Sequence, residues 1–175
     1  MATMILLPDG SSSVSNWTPA PFPNTIAGAL DDDNGDTSYV RSSTNNAVMT
    51  IEYANPSVAE ADIDTITSVR FLSSGRSTHR SLVSRVSIEY GIPSGITAQT
   101  CAYAATRSAF TTVNGNAESH ANGTSGGWSY ANLESLSMKC LKVQTTEVYF
   151  SYLAIEVTYT EAVSADNATF FGTNF

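Results

Sequence analysis

The stretch from Leu141 to Thr160 reads LKVQTTEVYFSYLAIEVTYT, and the rest of the chain is built around it. It is dense in Val, Thr, Tyr, Phe and Ile and contains neither Gly nor Pro, which predicts a β-strand. In its second half apolar residues alternate with polar ones, so one face is buried and the other is exposed to water. The buried face comprises Leu153, Ile155, Val157 and Tyr159, and the exposed face comprises Glu156, Thr158 and Thr160.

The alternation is interrupted where Val148, Tyr149 and Phe150 follow one another. Two interpretations are open: a bulge near Ser151 shifts the register, or this half of the strand is covered on both faces. A strand this apolar also needs neighbouring strands and a second layer over its buried face, because a lone hairpin is marginally stable in water.

Other segments supply those neighbours. The same alternation recurs around Ile51 and around Ile88, which predicts two more half-buried strands. A short helical turn is expected near residues 129–137 with Ser129 as its cap. Pro8-Asp9-Gly10 predicts a turn followed by a Ser-rich link, and residues 73–78 predict an exposed loop. Frequent strands separated by turn signals indicate an all-β fold, an antiparallel β-sandwich with one short helical turn.

A chain of 175 residues with 42% hydrophobic content is long enough for one domain with a core. We expect a single sandwich domain over residues 1–160, in which residues 1–25 form an N-terminal strand and an extended arm fixed to the body by Trp17. A C-terminal arm is expected over residues 161–175. Its Phe170, Phe171 and Phe175 predict docking, either on this subunit or on a neighbour, because a free tail would be an exposed apolar patch.

The net charge of -8 comes from 8 Lys and Arg residues against 16 Asp and Glu residues. Such a chain repels phosphate backbones, so no nucleic-acid partner is expected. The apolar run near the N-terminus is too short for a signal peptide or a membrane span. We therefore expect no membrane partner and production in a cytosol.

An acidic run after Leu30 contains three weak candidate calcium ligands: Asp31, Asp33 and Asp36. The spacing does not fit an EF-hand loop, because no Glu occupies the twelfth position. Asp and Asn are also common turn formers, so a solvated turn is the alternative interpretation. No other metal or cofactor site is predicted.

The sequence contains no catalytic constellation, and we expect no enzyme. The segment Gly123-Thr124-Ser125-Gly126-Gly127 matches the letters of a nucleophile elbow, but no hydrophobic strand leads into it. Both His79 and His120 precede Ser125, which is the wrong order for that fold. Cys101 and Cys140 are too few for a disulfide framework and predict two separate buried thiols.

Several short motifs in fixed order carry a resemblance to a known group of proteins. They are the apolar start ending in Pro8-Asp9-Gly10, then Asn16-Trp17-Thr18-Pro19, then Asp36-Thr37-Ser38-Tyr39-Val40, and finally Trp128-Ser129-Tyr130-Ala131-Asn132-Leu133 before the terminal Val157-Thr158-Tyr159. Over residues 5–159 the chain resembles small structural proteins of tailed bacteriophages, which are β-sandwiches of jelly-roll type. The resemblance implies a virion component, either a capsid cement or decoration protein or a tail-associated protein.

The leading hypothesis is a capsid decoration protein that binds the major capsid protein as a homotrimer. It would be assembled in the host cytoplasm and lie on the capsid surface of the virion. Mechanistically it would be a clamp whose apolar residues bury area across subunit boundaries. The predicted partner interface comprises Phe170, Phe171, Phe175, Ile5, Leu6 and Leu7.

The alternative hypothesis is a tail-fibre or carbohydrate-binding β-sandwich module. It predicts exposed aromatic side chains beside the loop of residues 114–127 or beside the turn of residues 31–36. It also predicts that glycans are retained in a calcium-dependent way.

Overall fold

The structure is a computed structural model that describes residues 1–21, 25–32, 37–78, 84–92, 95–103, 109–120, 126–143 and 146–163. Eleven strands and one α-helix lie within those ranges, together with 3-10 turns at Ala27–Ala29 and Glu60–Asp62. The strands are β1 (Ala2–Leu6), β2 (Pro8–Ser15), β3 (Thr18–Ala20), β4 (Tyr39–Ser42), β5 (Val48–Tyr53), β6 (Ile63–Ser77), β7 (Ser84–Ile92), β8 (Gly95–Tyr103), β9 (Thr111–Asn114), β10 (Ser137–Lys142) and β11 (Val148–Glu161). The helix is α1 (Tyr130–Glu134).

The strands form two antiparallel sheets. Sheet A has the order β3-β4-β11-β6-β9, with β1 also paired to β11, and sheet B has the order β2-β5-β10-β7-β8. Strand β4 pairs with β11, β5 with β10, β6 with β9 and β7 with β8, so these eight strands are one long hairpin rolled up on itself. That arrangement is a jelly roll, which confirms the predicted fold class.

Strand β11 lies at the centre of sheet A, as its composition predicts. Phe150, Leu153, Ile155 and Val157 are fully buried against sheet B. The register of β11 against β6 shifts between Phe150 and Tyr152, which confirms the interpretation that a bulge lies at Ser151. The single strand predicted from Leu141 to Thr160 is wrong, because the chain crosses from β10 in sheet B to β11 in sheet A between residues 142 and 148.

The core lies between the two sheets and contains the apolar faces that the alternation predicts. Ile51 of β5 and Ile88 of β7 are fully buried. The rings of Phe71 on β6 and Tyr90 on β7 meet edge to face at 5.7 Å, a geometry that adds to the stability from burial alone. These contacts join sheet A to sheet B.

Two segments predicted as irregular are strands. The Ser-rich link is β2, and Pro8 opens this strand instead of a turn because β2 is an edge strand, where a missing N–H is tolerated. Residues 73–77 belong to β6, and the predicted exposed loop is wrong there because small serine side chains fit beneath the neighbouring strands. Ser73 is fully buried and its hydroxyl donates to the carbonyl of Val113.

The N-terminal segment predicted as an arm is paired into both sheets through β1, β2 and β3. Trp17 is 5% exposed and packs against Phe150 with ring centroids 5.7 Å apart, which confirms that it fixes this segment to the body. Of the predicted C-terminal arm, residues 164–175 lie outside the described residues.

Helix α1 confirms the predicted helical turn. Ser129 is its N-cap, and the Ser129 hydroxyl and the Asn132 side chain each accept a hydrogen bond from the other residue's main-chain N–H. Within the described part of the chain, no helix is long and apolar enough to cross a membrane.

Candidate ligand-binding surface

A row of side chains crosses the outer face of sheet A on three neighbouring strands. Arg41 of β4 lies opposite Tyr149 of β11, and Tyr149 lies opposite Arg76 of β6. Val40 and Phe150 point into the core, so the side chains next to them in sequence point away from it. The row therefore has an arginine on each side of a central tyrosine.

Two further aromatic side chains extend this row. The ring of Tyr39 lies 5.1 Å from that of Tyr149. The guanidinium of Arg76 lies 4.5 Å from the centroid of Tyr149 and 5.1 Å from that of Phe110, which are cation–π distances. We call Tyr39, Arg41, Arg76, Phe110 and Tyr149 the aromatic–arginine surface.

Arg41 is positioned from two sides. The neighbouring hydroxyl of Tyr149 raises the pKa of Arg41 above its usual value. On the other side the guanidinium lies 3.9 Å from the carboxylate of Glu147, and 50% of the Arg41 side chain is exposed. Burial raises the pKa of Tyr149, so its hydroxyl stays neutral at physiological pH. The Tyr149 side chain is itself buried, at 7% exposed, so the surface presents the Arg41 charge beside the half-buried rings of Tyr39 and Phe110.

A polar cleft adjoins the aromatic–arginine surface at Arg41 and has a volume of about 320 Å³. Its side chains include hydroxyl groups, an amide, a guanidinium and a carboxylate, so it offers both hydrogen-bond donors and acceptors. The lining residues are Asn16, Thr18, Arg41, Ser42, Ser43, Thr44 and Glu147.

Lys142 holds the turn that follows β4, and this turn forms one wall of the cleft. Its ammonium group lies 3.5 Å from the carbonyl of Ser43. Its main chain also binds the turn, because the N–H of Asn46 donates to the Lys142 carbonyl and the Lys142 N–H donates to the carbonyl of Ala47, both at 3.0 Å. The cleft is therefore built on an ordered turn rather than on free chain.

A larger cleft of about 440 Å³ lies beside sheet B. Three carboxylates line it, those of Asp9, Glu52 and Glu134, and none of its lining residues is Lys or Arg. Its aromatic lining residue, Tyr53, is buried. This cleft offers acceptors without a cation, whereas the cleft at Arg41 offers both.

The two places where the carbohydrate-binding hypothesis predicts aromatic residues differ in the structure. Trp128, after the loop of residues 114–127, is buried, and its indole N–H donates to the Glu118 carbonyl at 2.9 Å. Tyr130, two residues further on, is half-buried, and its hydroxyl donates to the carbonyl of Val58 at 3.0 Å. Tyr39, after the acidic run, is half-buried on the aromatic–arginine surface. Among the described residues, neither place therefore has a fully exposed ring.

The predicted calcium ligands are only partly described. Asp31 is exposed, whereas Asp33 and Asp36 lie outside the described residues. Across the ranges that the structure covers, no group of three or more His, Cys, Asp or Glu side chains is placed to hold a metal ion.

The residues of the predicted partner interface differ in exposure, and some lie outside the described part of the chain. Ile5 and Leu7 are each 39% exposed, but Leu6 is 1% exposed. Leu6 is therefore a core residue and not an interface residue, because alternation along β1 turns it toward sheet B. Phe170, Phe171 and Phe175 lie outside the described residues.

The structure describes only some of the residues of the nucleophile-elbow pattern and of the two cysteines. Ser125 and His79 lie outside the described residues, and His120 is exposed. The Nδ1 atom of His120 lies 3.1 Å from the hydroxyl oxygen of its neighbour Ser119. Cys140 is buried on β10, whereas the side chain of Cys101 is outside the described part.

The aromatic–arginine surface could not be predicted as a unit from the amino-acid sequence. Its central residues come from positions 41, 76 and 149, and only the strand register places them side by side. One local signal was present, because Tyr39 and Arg41 alternate with the apolar Val40 and so share the outer face of a strand.

No protein-family model matches the chain, and no curated protein matches it. Among solved structures, a family 29 carbohydrate-binding module from Piromyces equi is similar in fold, with 8% identity, a TM-score of 0.41, and coverage of 89% of this chain and 91% of that one. The N-terminal cellulose-binding domain of β-1,4-glucanase C from Cellulomonas fimi is similar with 9% identity, a TM-score of 0.36, and coverage of 85% and 90%. At these values the likeness carries no inference about a ligand.

Proposed function

We propose that the chain is a non-catalytic β-sandwich module that binds a glycan on the outer face of sheet A. The observation that carries this proposal is the aromatic–arginine surface beside a polar cleft. The apolar face of a sugar ring packs on aromatic side chains, and its hydroxyl groups need donors and acceptors at the rim. The surface and the cleft provide both within one face of one sheet.

The fold itself does not decide between functions, because jelly rolls serve in lectins and in viral capsids alike. The support comes from the chemistry of the site. Hydroxyl and amide groups of Thr18, Ser43, Thr44 and Asn16 are exposed along the cleft, next to the Arg41 guanidinium. These groups can bind several sugar hydroxyls at once, which suits recognition of an oligosaccharide.

A glycan array followed by titration calorimetry tests this function. The variants Tyr39→Ala and Arg41→Ala remove a ring and a donor from the proposed site. Each is expected to weaken binding of the best array ligand by more than about tenfold, since residues at the centre of a binding site commonly account for more than 1.4 kcal/mol.

The matched control is Arg70→Ala. Arg70 lies on β6, the strand that carries Arg76. Its guanidinium pairs with the carboxylate of Glu156 at a distance of 2.7 Å, and neither residue lines the cleft. Its removal is expected to leave glycan affinity unchanged. Equal loss in all three variants would contradict the assigned site, and an array with no ligand would contradict the function. A parallel array with a chelator tests the predicted dependence on calcium.

A second candidate function is the capsid decoration protein that the phage resemblance implies. One observation favours it: Ile5 on β1 and Leu7, the residue that follows the strand, remain exposed, and within the described residues β1 pairs with β11 alone. An exposed apolar pair at an edge strand is suited to bury area against the major capsid protein.

Sedimentation with capsids tests this candidate. The double variant Ile5→Ser and Leu7→Ser, and a chain shortened by residues 170–175, are each expected to bind particles less than the parent does. Unchanged sedimentation of both would contradict the clamp mechanism. The mass of the free protein in solution tests the homotrimer.

A further inference from the structure

We infer that the glycan bound at the aromatic–arginine surface is acidic and that Arg41 and Arg76 bind its carboxylate group. This inference rests on the proposed function and specifies the class of its ligand. Three features of the surface support an acidic ligand: the placement of its charges, the geometry of the two arginines and the weakness of the Arg41 ion pair.

The positive charge of this surface stands out against the chain as a whole. The protein has a net charge of -8 with only 8 Lys and Arg residues. Two of them, Arg41 and Arg76, lie on either side of Tyr149, and Arg41 has Glu147 as its ion-pair partner. An acidic ligand is repelled by most of the molecule, so a local positive patch directs it to this site.

The arrangement of the two arginines suits a carboxylate. They lie in register on β4 and β6 with β11 between them, so their main chains are separated by about twice the strand spacing of 4.8 Å. A guanidinium binds a planar carboxylate with two parallel hydrogen bonds, which an ammonium group cannot do. A sugar ring over Tyr39 or Phe110 therefore has a matching cation within reach at either side.

The ion pair of Arg41 is longer than two other ion pairs in the described part of the chain. The Arg41–Glu147 distance is 3.9 Å, whereas Arg70–Glu156 and Lys139–Glu89 are separated by 2.7 and 3.0 Å. An exposed pair at such a distance contributes little stability. A ligand carboxylate can thus bind Arg41 directly, while Glu147 opposes it by charge repulsion.

Calorimetry with three probes of equal length tests the inference: trigalacturonate, its methyl ester and a sulfated trisaccharide that has no carboxylate. The methyl ester keeps the chain length of the acid, removes its charge and adds one methyl group to each carboxyl. We expect the acid to bind at least tenfold more tightly than the ester. Glu147→Gln removes the repelling charge, so it is expected to increase the preference for the acid over the ester severalfold.

Two arginine variants test the binding geometry. Arg41→Lys keeps the charge but loses the planar fork, so it is expected to lose most of the preference for the acid over the ester. Arg70→Ala, on the same face, is expected to keep the full preference. Loss of the preference in both variants would overturn the assignment to Arg41.

The possible outcomes separate the two levels of the proposal. Equal binding of acid and ester would overturn the acidic-glycan inference and leave the glycan-binding function standing. Preference for the sulfated probe would overturn the assignment to a carboxylate. If none of the three probes and no glycan on the array binds, the proposed function itself fails.

Discussion

Replacing Trp17 tests whether the N-terminal segment holds the polar cleft in place. Trp17 is 5% exposed, and its ring lies 5.7 Å from that of Phe150 at an angle of 31°. Trp17→Ala removes that contact and leaves a cavity, so we expect the free energy of unfolding to fall by about 3–5 kcal/mol. That loss is a large share of the stability of a small domain, which is typically about 5–15 kcal/mol.

Trp17→Phe separates the ring from its polar group. The indole N–H of Trp17 is buried and has no hydrogen-bond partner among the described residues. A buried donor without a partner costs about 1–3 kcal/mol, and phenylalanine removes that cost while keeping an aromatic ring against Phe150. These gains offset much of the lost volume, so we expect this variant to lie within about 1.5 kcal/mol of the parent.

Urea denaturation followed by far-ultraviolet circular dichroism measures both variants, because loss of a tryptophan changes the fluorescence signal itself. Asn16 and Thr18 flank Trp17 and line the cleft. Glycan affinity of folded Trp17→Ala is therefore expected to fall as well. A loss of less than about 1 kcal/mol for Trp17→Ala, or an equal loss for both variants, would refute this account of the core.

Two further predictions concern other parts of the core. A Cβ atom on Gly115 would lie 2.5 Å from the ring of Phe71, which is fully buried and cannot move aside. Gly115→Ala is therefore expected to lower the free energy of unfolding, measured by urea denaturation, by about 1–3 kcal/mol. The control Gly126→Ala has open space around it and should change that free energy by less than about 0.5 kcal/mol. Burial raises the pKa of Tyr53 and of Tyr90 above the usual value of 10.0, so the unfolded state releases their protons first as pH rises. The stability that these raised pKa values contribute is fully present below pH 10 and is lost above it, and the free energy of unfolding then falls by at most about 1.4 kcal/mol per pH unit for each tyrosine. Between pH 9 and 11.5 the free energy of unfolding should fall less steeply in Tyr53→Phe than in the parent. An unchanged slope would contradict this.

The sequence predicted the layers of this fold because alternation is a local property. The burial of Ile51, Ile88 and Ile155 follows from residues two positions apart, whatever the rest of the chain does. The exposed loop assigned to residues 73–78 was wrong for a related reason. Serine is a turn former by local preference, but beneath β9 its small side chain fits a buried strand position, and only the sheet order reveals that.

The aromatic–arginine surface depends on a feature that the sequence left open between two interpretations. Along an uninterrupted strand, Tyr149 would share the face of Leu153 and Ile155, since all three positions are odd-numbered. The bulge at Ser151 adds one residue, so Phe150 points into the core and Tyr149 points outward between Arg41 and Arg76. The bulge in β11 therefore places the Phe150 ring in the core and Tyr149 at the centre of the proposed binding surface. Bulges commonly re-aim a side chain at a functional site in this way. The register of one central strand thus links the packing of the sandwich to the ligand it is proposed to bind.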